Sequence, residues 1–395
     1  MIVTLDQRLF EPGLLPLWFV FAANQRSHVL LTDPEWDASD TSQPVQLWLN
    51  GQSKEIRDAG EKELERGLDE AANMGASVAR IRVEPIVASI WEDGKLSPDD
   101  ALRLMQTPLW LMLENGRNDF EFIRRILEVH DRDALNEHLA AGRVEVPPGG
   151  GTGELKLFLE NLATLPAKPV LSGDIASWFR RLRTWVMFDR DVNPNDLRLP
   201  SKMSEDMREL CAKMTRPRQF PGHQLGRRTI ENYLPIEALD YWADGGDGLE
   251  RNERRQRVEA FKSSDFGGLR RSCFAMKDGF MKDVAQSIRD EFKQRGFRQR
   301  KILGSWTREN KLPSALRKSQ RTRERRLEAS ELPAVFQGMA HSTHHHHLRR
   351  GFGTKIAELF ADKALNDIYF HRVFDADPAA SAWRRGLVES LWAVL

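Results

Sequence analysis

The pattern of apolar and polar positions changes near Pro108. Before it, residues 17–22, 28–31 and 45–49 are short apolar runs of strand length, the last closed by the turn pair Asn50-Gly51. Residues 54–74 are strongly charged, with apolar or small side chains returning at helical spacing, and predict one long helix. Residues 77–83 and 85–90 predict two more short strands. Residues 1–105 therefore read as a mixed α/β domain. They carry no recognisable chemical motif and are read as a scaffold or partner-binding unit.

Beyond Pro108, residues 109–113 form a continuous apolar run, as expected of a strand buried on both faces. A helix is predicted from Asp119, where Phe122, Ile123, Ile126 and Leu127 share a face. Residues 144–146 predict a second strand, 152–162 a helix and 183–188 a third strand. Strand, helix, strand, helix, strand implies a parallel sheet. After Pro194 the chain reads as mostly helical, over 210–220, 251–261, 278–292, 352–365 and 380–395. The expected fold class is α/β: a central Rossmann-like parallel sheet over 106–285, an N-terminal α/β domain, and a basic, mostly helical domain over 286–395.

Ligands of open parallel sheets sit at the carboxyl ends of the strands. The strand predicted over 109–113 runs into Glu114, that over 144–146 into a proline–glycine stretch, and that over 183–188 into Asp189-Arg190-Asp191. Carboxylates at adjacent strand ends make a hard, oxygen-rich site suited to Mg²⁺ or Mn²⁺. If the strand geometry continues, Asp189 and Asp191 point to one side and face one ion, with Glu114 completing the cluster. Taken singly, each acid also reads as a helix cap or a solvated side chain. The ordered set of three strand ends favours the site.

Composition adds little at first. Of 395 residues, 41% are hydrophobic and 30% charged, as in ordinary globular proteins. The net charge of +1 conceals a basic segment between Arg295 and Arg326, where a dozen Lys and Arg stand against a few acids. Two cysteines, Cys211 and Cys273, are too few for a disulfide framework or a cysteine-rich zinc site. No run approaches the ~20 apolar residues of a membrane helix, and the first ten residues lack a basic-then-apolar leader pattern. A cytoplasmic address and no membrane partner are expected.

Three segments, Leu111-Met112-Leu113-Glu114-Asn115-Gly116-Arg117-Asn118-Asp119, Val146-Pro147-Pro148-Gly149-Gly150-Gly151 and Phe188-Asp189-Arg190-Asp191, resemble the TOPRIM fold of topoisomerases, bacterial primases and certain nucleases. Arg227-Arg228-Thr229-Ile230-Glu231-Asn232-Tyr233-Leu234 and Phe274-Ala275-Met276-Lys277-Asp278-Gly279 resemble the nuclease branch of overcoming-lysogenization-defect proteins and related phage-defence effectors. The resemblance spans roughly 108–280. It implies a metal-dependent nuclease of DNA or RNA, a toxic effector in antiviral defence, that uses two Mg²⁺ or Mn²⁺ ions. Glu114, Asp189 and Asp191 would be metal ligands, Asp119 a second acid on the first helix, Glu231 a ligand for the second ion, and Lys277 the stabiliser of phosphate charge. The family's first motif reads Glu-Gly, whereas Asn115 here separates Glu114 from Gly116. Aligned backwards from Asp119, Asn115 would take the carboxylate's place; Glu114 is preferred because an amide is a poorer ligand for a hard dication. The rival reading is a catalytically silent TOPRIM-like binding or regulatory subunit.

Gly149–Gly153 lacks the Gly-Lys-Ser/Thr ending of a P-loop. It reads as a tight strand-to-helix turn, and an ATPase, which nuclease relatives often borrow, would be a separate subunit. A homo-oligomer is left open. A topoisomerase would need a nucleophilic tyrosine, and Tyr233, Tyr241 and Tyr369 have no supporting context; a primase would need a polymerising partner module. The internal run His341–His347 reads as a polar loop between helices with incidental metal affinity. Arg317, Lys318, Arg321, Arg323, Arg325 and Arg326, with Phe297 and Trp306 nearby, read equally as a phosphate track for nucleic acid or as a solvated helix face or acidic-partner interface. Arg251, Arg254, Arg255 and Arg257 read as a solvated helix face.

Overall fold

The computed structural model describes the chain except residues 12, 27, 75–77, 167, 194–195, 215–221, 281, 284–331 and 338–343. Two four-stranded sheets, each wholly parallel, organise it. The protein is therefore α/β. The basic residues from Arg317 to Arg326, and most of the helix expected over 278–292, lie outside the described residues.

The first sheet has the order β2-β1-β3-β4, from β1 (Ile2–Asp6), β2 (Val29–Asp33), β3 (Arg80–Val83) and β4 (Lys95–Leu96). The long helix is present as Lys54–Asn73, with Gly60, Leu64 and Gly67 on its inner face. A Cβ on Gly67 would lie 2.0 Å from the Leu30 carbonyl oxygen, so only glycine lets this helix lie so close to β2. Two expected strands are helices instead. In Leu15–Arg26, Phe19, Val20, Ala22 and Ala23 are buried while Trp18 and Phe21 face outward, a helical division hidden inside an unbroken apolar run. In Pro44–Asn50, Pro44 occupies the first turn, where its missing N–H costs nothing, and Val45, Trp48 and Leu49 are buried at helical spacing. Residues 85–90 contribute no strand beyond a single bridge, Ile90 to Lys95.

The second sheet, ordered β6-β5-β7-β8, contains β5 (Leu109–Leu113), β6 (Val144–Glu145), β7 (Thr184–Phe188) and β8 (Gly222–Gln224). Every residue of β7 is buried, as a central parallel strand covered on both faces requires. Leu111 pairs with Trp185 and Leu113 with Met187, so β5 and β7 end side by side. Helices Gly116–Ile126 and Thr152–Ala163 follow β5 and β6, close to their expected bounds. The expected helix over 352–365 is reduced to a 3-10 turn, Ile356–Ala361.

The closing helices Asp367–Asp375 and Pro378–Trp392 belong to the core of this second sheet. Trp185 donates to Ser390 Oγ at 2.8 Å, and Trp383 to the Gln224 carbonyl at 3.0 Å. Helix Ser172–Leu182 instead sends Trp178 and Leu182 into the first sheet's core, where Trp178 stacks on Trp91 with ring centroids 5.9 Å apart. No described helix is long and apolar enough to cross a membrane.

Candidate functional site

β5 stops at Leu113, and Glu114 is the first residue beyond it. The glycine loop after β6 lies directly on this turn. A Cβ at Gly149 would come within 2.5 Å of the carbonyl oxygens of Leu113 and Glu114, and the Gly151 N–H donates to the Glu114 carbonyl at 3.0 Å. Gly151 takes φ +86°, and the next helix starts at Thr152, whose side chain hydrogen-bonds the Glu114 carboxylate. The loop is thus a strand-to-helix turn that seats Glu114.

Asn115 has a different task. It is exposed, and its side-chain oxygen accepts the Asn118 N–H at 3.4 Å as N-cap of helix Gly116–Ile126. Asp119 answers by accepting the Asn115 N–H at 2.8 Å. The Glu114 carboxylate faces β7, where its Oε1 accepts the Asp189 N–H at 3.4 Å.

Asp189 and Asp191 lie beyond the end of β7, so strand alternation does not align them. Asp191 has φ +44°, a left-handed conformation uncommon for a non-glycine residue, and its N–H donates to the Arg228 carbonyl at 2.9 Å. That bond ties the turn to the segment following β8. Lys282 Nζ is 4.0 Å from Asp191 Oδ1.

In that segment, Ile230–Tyr233 is one 3-10 turn. Its neighbours are structural. Asn232 accepts from the Thr229 backbone and hydroxyl at 3.0 Å and donates to the carbonyls of Arg271 and Phe274. Buried Arg228 grips Asp283 at 2.7 and 3.0 Å. Arg227 lies over the Tyr233 ring and pairs with Asp377 at 3.0 Å, which fastens the turn to the last helix. Tyr233 is buried, its hydroxyl accepting the Arg227 N–H at 3.0 Å, so it is no exposed nucleophile. Glu231 is the member with no structural partner of this kind. It is fully buried, its Oε1 is 2.8 Å from Lys277 Nζ, and its Oε2 has no hydrogen-bond partner among the described residues.

Lys277 is held by a crossing of two glycines. Gly279 and Gly351 have φ of +64° and +60°, and a Cβ on Gly279 would lie 2.2 Å from the Leu348 carbonyl oxygen. The Phe352 and Gly353 N–H groups donate to the carbonyls of Met276 and Lys277 at 2.7 and 3.0 Å. Sequence reasoning missed this clamp, as it missed Thr152 and Lys282; the glycine spacing shows no partner until the chain is folded.

The acids influence one another strongly. Burial, then the charges of Asp191 and Asp119, raise the Glu114 carboxyl to about 7. Asp119 is raised to about 7, chiefly by burial and further by Glu231. Asp189 is pushed well above the carboxylate range by burial and then by Glu114, Glu231, Asp119 and Asp191. Lys277 is raised despite its own burial, because Glu231, Asp189 and Asp119 stabilise its charge. Glu231, Asp189 and Asp119 thus act on Lys277, and Glu114 and Asp191 join them through their influence on Asp189. Among the described residues no three His, Cys, Asp or Glu side chains already stand as a metal-holding group. The donor set nevertheless suits a hard dication: it is all oxygen, it carries excess negative charge, and it includes the unbonded Glu231 Oε2. Compared with known protein families, curated proteins and solved structures, the chain gives no match.

Proposed function

We propose that the chain is a TOPRIM-type nuclease that hydrolyses phosphodiester bonds of DNA or RNA with Mg²⁺ or Mn²⁺. The observation that carries this reading is the gathering of Glu114 and Asp189, just beyond the carboxyl ends of β5 and β7, with Asp119, Asp191 and Glu231; Glu114, Asp119 and Asp189 have raised proton affinities, and Lys277 stands 2.8 Å from Glu231. Such uncompensated charge is costly and typical of functional sites. Glu114, Asp189 and Asp191 would hold one ion, and Asp119 and Glu231 a second. When bound, these ions supply Lewis acidity and a water acidified enough to attack phosphorus. Lys277, half-buried and pinned by its clamp, sets a positive charge where the phosphoryl oxygens gain negative charge. The Gly149–Gly151 loop and Thr152 keep Glu114 oriented towards β7. A role as a toxic antiviral effector with a separate ATPase subunit follows from family resemblance alone.

The test is cleavage of a panel of plasmid, single-stranded DNA, tRNA and rRNA with Mg²⁺ or Mn²⁺. Wild type should cut at least one substrate, and EDTA or Asp189→Ala should abolish cutting. Undiminished cutting by Asp189→Ala sinks the proposal. The lack of a preset metal group among the described residues favours a second reading, a silent binding or regulatory subunit. Titration of wild type and Asp189→Ala with Mn²⁺ separates the two: saturable binding by wild type alone supports the nuclease, and identical weak binding supports the scaffold.

A further inference from the structure

We propose that the pocket walled by Arg257, Arg349 and Arg350 binds phosphate groups, from a nucleic-acid backbone or a free phosphate ester. The inference rests on the pocket's own charge and does not require the carboxylates to be catalytic. The cavity, about 340 Å³, is bordered by these three arginines, His346 and His347, with Glu253 as the single carboxylate.

Arginines on the same helix, Gly248–Lys262, show what an ordinary solvated face looks like here. Arg254 bonds Glu250 at 2.6 Å, Arg255 bonds Asp244 at 2.7 Å, and Arg251 donates to the Gly246 carbonyl at 2.8 Å. Arg257 differs. It makes no ion pair among the described residues, and its Nε is buried without a hydrogen-bond partner. Among the described residues Arg349 repeats this state, with its Nε also buried and unbonded, and Arg350 likewise makes no ion pair. Burial disfavours the Arg257 charge, Glu253 and Glu250 offset part of this, and Arg254 and Arg350 repel it. Three guanidiniums set against one lining carboxylate, Glu253, leave positive charge in excess among the described residues, which is costly for a fold to hold. A phosphate offers several acceptor oxygens and matches the guanidinium fork in a bidentate manner. The pocket also communicates with the acidic site. The loop carrying Arg349 and Arg350 continues into Gly351–Gly353, which clamps the Lys277 turn. Filling the pocket would therefore stiffen the support of Lys277.

Binding should be measured on the full chain in EDTA, with pyrophosphate by calorimetry and a labelled single-stranded oligonucleotide by anisotropy. Arg349→Gln/Arg350→Gln should weaken binding about tenfold or more, since charge-assisted bonds of this kind are lost. For the oligonucleotide, the slope of log affinity against log salt should fall by about 0.7 per contact removed. Arg257→Gln provides a second, single-site variant should the double variant fold poorly. Weakening of pyrophosphate binding alone assigns the pocket to a free phosphate ester. Weakening of oligonucleotide binding, with or without pyrophosphate, assigns it to the nucleic-acid backbone. If wild type binds neither probe, or folded variants bind both with unchanged affinity, the proposal is overturned.

Discussion

Lys277 Nζ stands 2.8 Å from Oε1 of Glu231, a carboxylate with no solvent exposure and, among the described residues, no other charged contact of that closeness. The pair joins a residue of the turn after β8 to a turn held by the 348–353 loop, so it couples the acidic site to the C-terminal part of the chain. Removing one partner leaves the other buried and unneutralised. Lys277→Met should therefore lower stability by about 1–3 kcal/mol in urea unfolding. Adding Glu231→Gln should recover most of the loss, because the stranded charge is gone. A double variant no more stable than Lys277→Met would show that the pair is not the source of the effect.

The carboxylate of Glu114 and the amide of Asn115 have separable roles. Glu114→Gln should abolish cleavage as completely as Asp189→Ala, whereas Asn115→Ala removes only an N-cap. That loss should cost about 1 kcal/mol of stability and leave most activity. The reverse ranking in a cleavage assay would place Asn115 in the acidic position.

Glu114 and Asp119 titrate near 7 in the folded chain, above their ordinary values of 4.5 and 3.8. The folded state then holds protons that the unfolded state has released between about pH 4 and 7. The stability these groups contribute is present below the unfolded values and is lost as pH rises through 7. In EDTA, the melting temperature should fall between pH 5 and 8. Glu114→Gln should flatten that fall and be the more stable form at pH 8, by an amount on the order of 2 kcal/mol. Parallel profiles for the two proteins would contradict the assignment.

His223 gives an opposite dependence. Burial lowers its imidazole from 6.5 to about 4, and it lies between Trp185 and Trp383. Because this folded value is depressed, its contribution is full above 6.5 and is lost as pH falls towards 4. His223→Phe should remove part of the acid sensitivity between pH 6.5 and 4, measured by urea unfolding at each pH. Unchanged acid sensitivity in that variant would rule out a contribution from this residue.

Gly279 tests the clamp. Alanine there would be strained at φ +64° and would meet the Leu348 carbonyl at 2.2 Å. Gly279→Ala should destabilise by more than about 1 kcal/mol and reduce cleavage more than its stability loss explains, since Lys277 loses its support. Gly153→Ala, a glycine with open space around its Cβ position, is the control and should be close to neutral.

Several features of this protein are local consequences of its sequence. The run 109–113 is apolar throughout and 183–188 is apolar from Trp185 to Phe188, and with acids or glycines closing them such runs fit the strands of a parallel sheet, so β5, β7 and the acids after them were legible. The charged helix Lys54–Asn73 was equally legible, because its periodicity repeats over five turns. Tertiary structure decided the rest. Apolar runs at 17–22 and 45–49 have strand length, yet both are helices, because their burial depends on which neighbours cover one side. The acids were visible one by one, but their convergence depends on the left-handed turn at Asp191, the cap that turns Asn115 outward, and the loop that seats Glu114. Lys277 meets Glu231 only because Gly279 and Gly351 let two backbones cross, and the pocket arginines are distinguished only by the ion pairs that Arg254 and Arg255 make and that they lack among the described residues. Local pattern sets which element forms where the interaction is short in sequence; charge pairing and burial between distant segments are set by packing, which the order of residues encodes only through the complete fold.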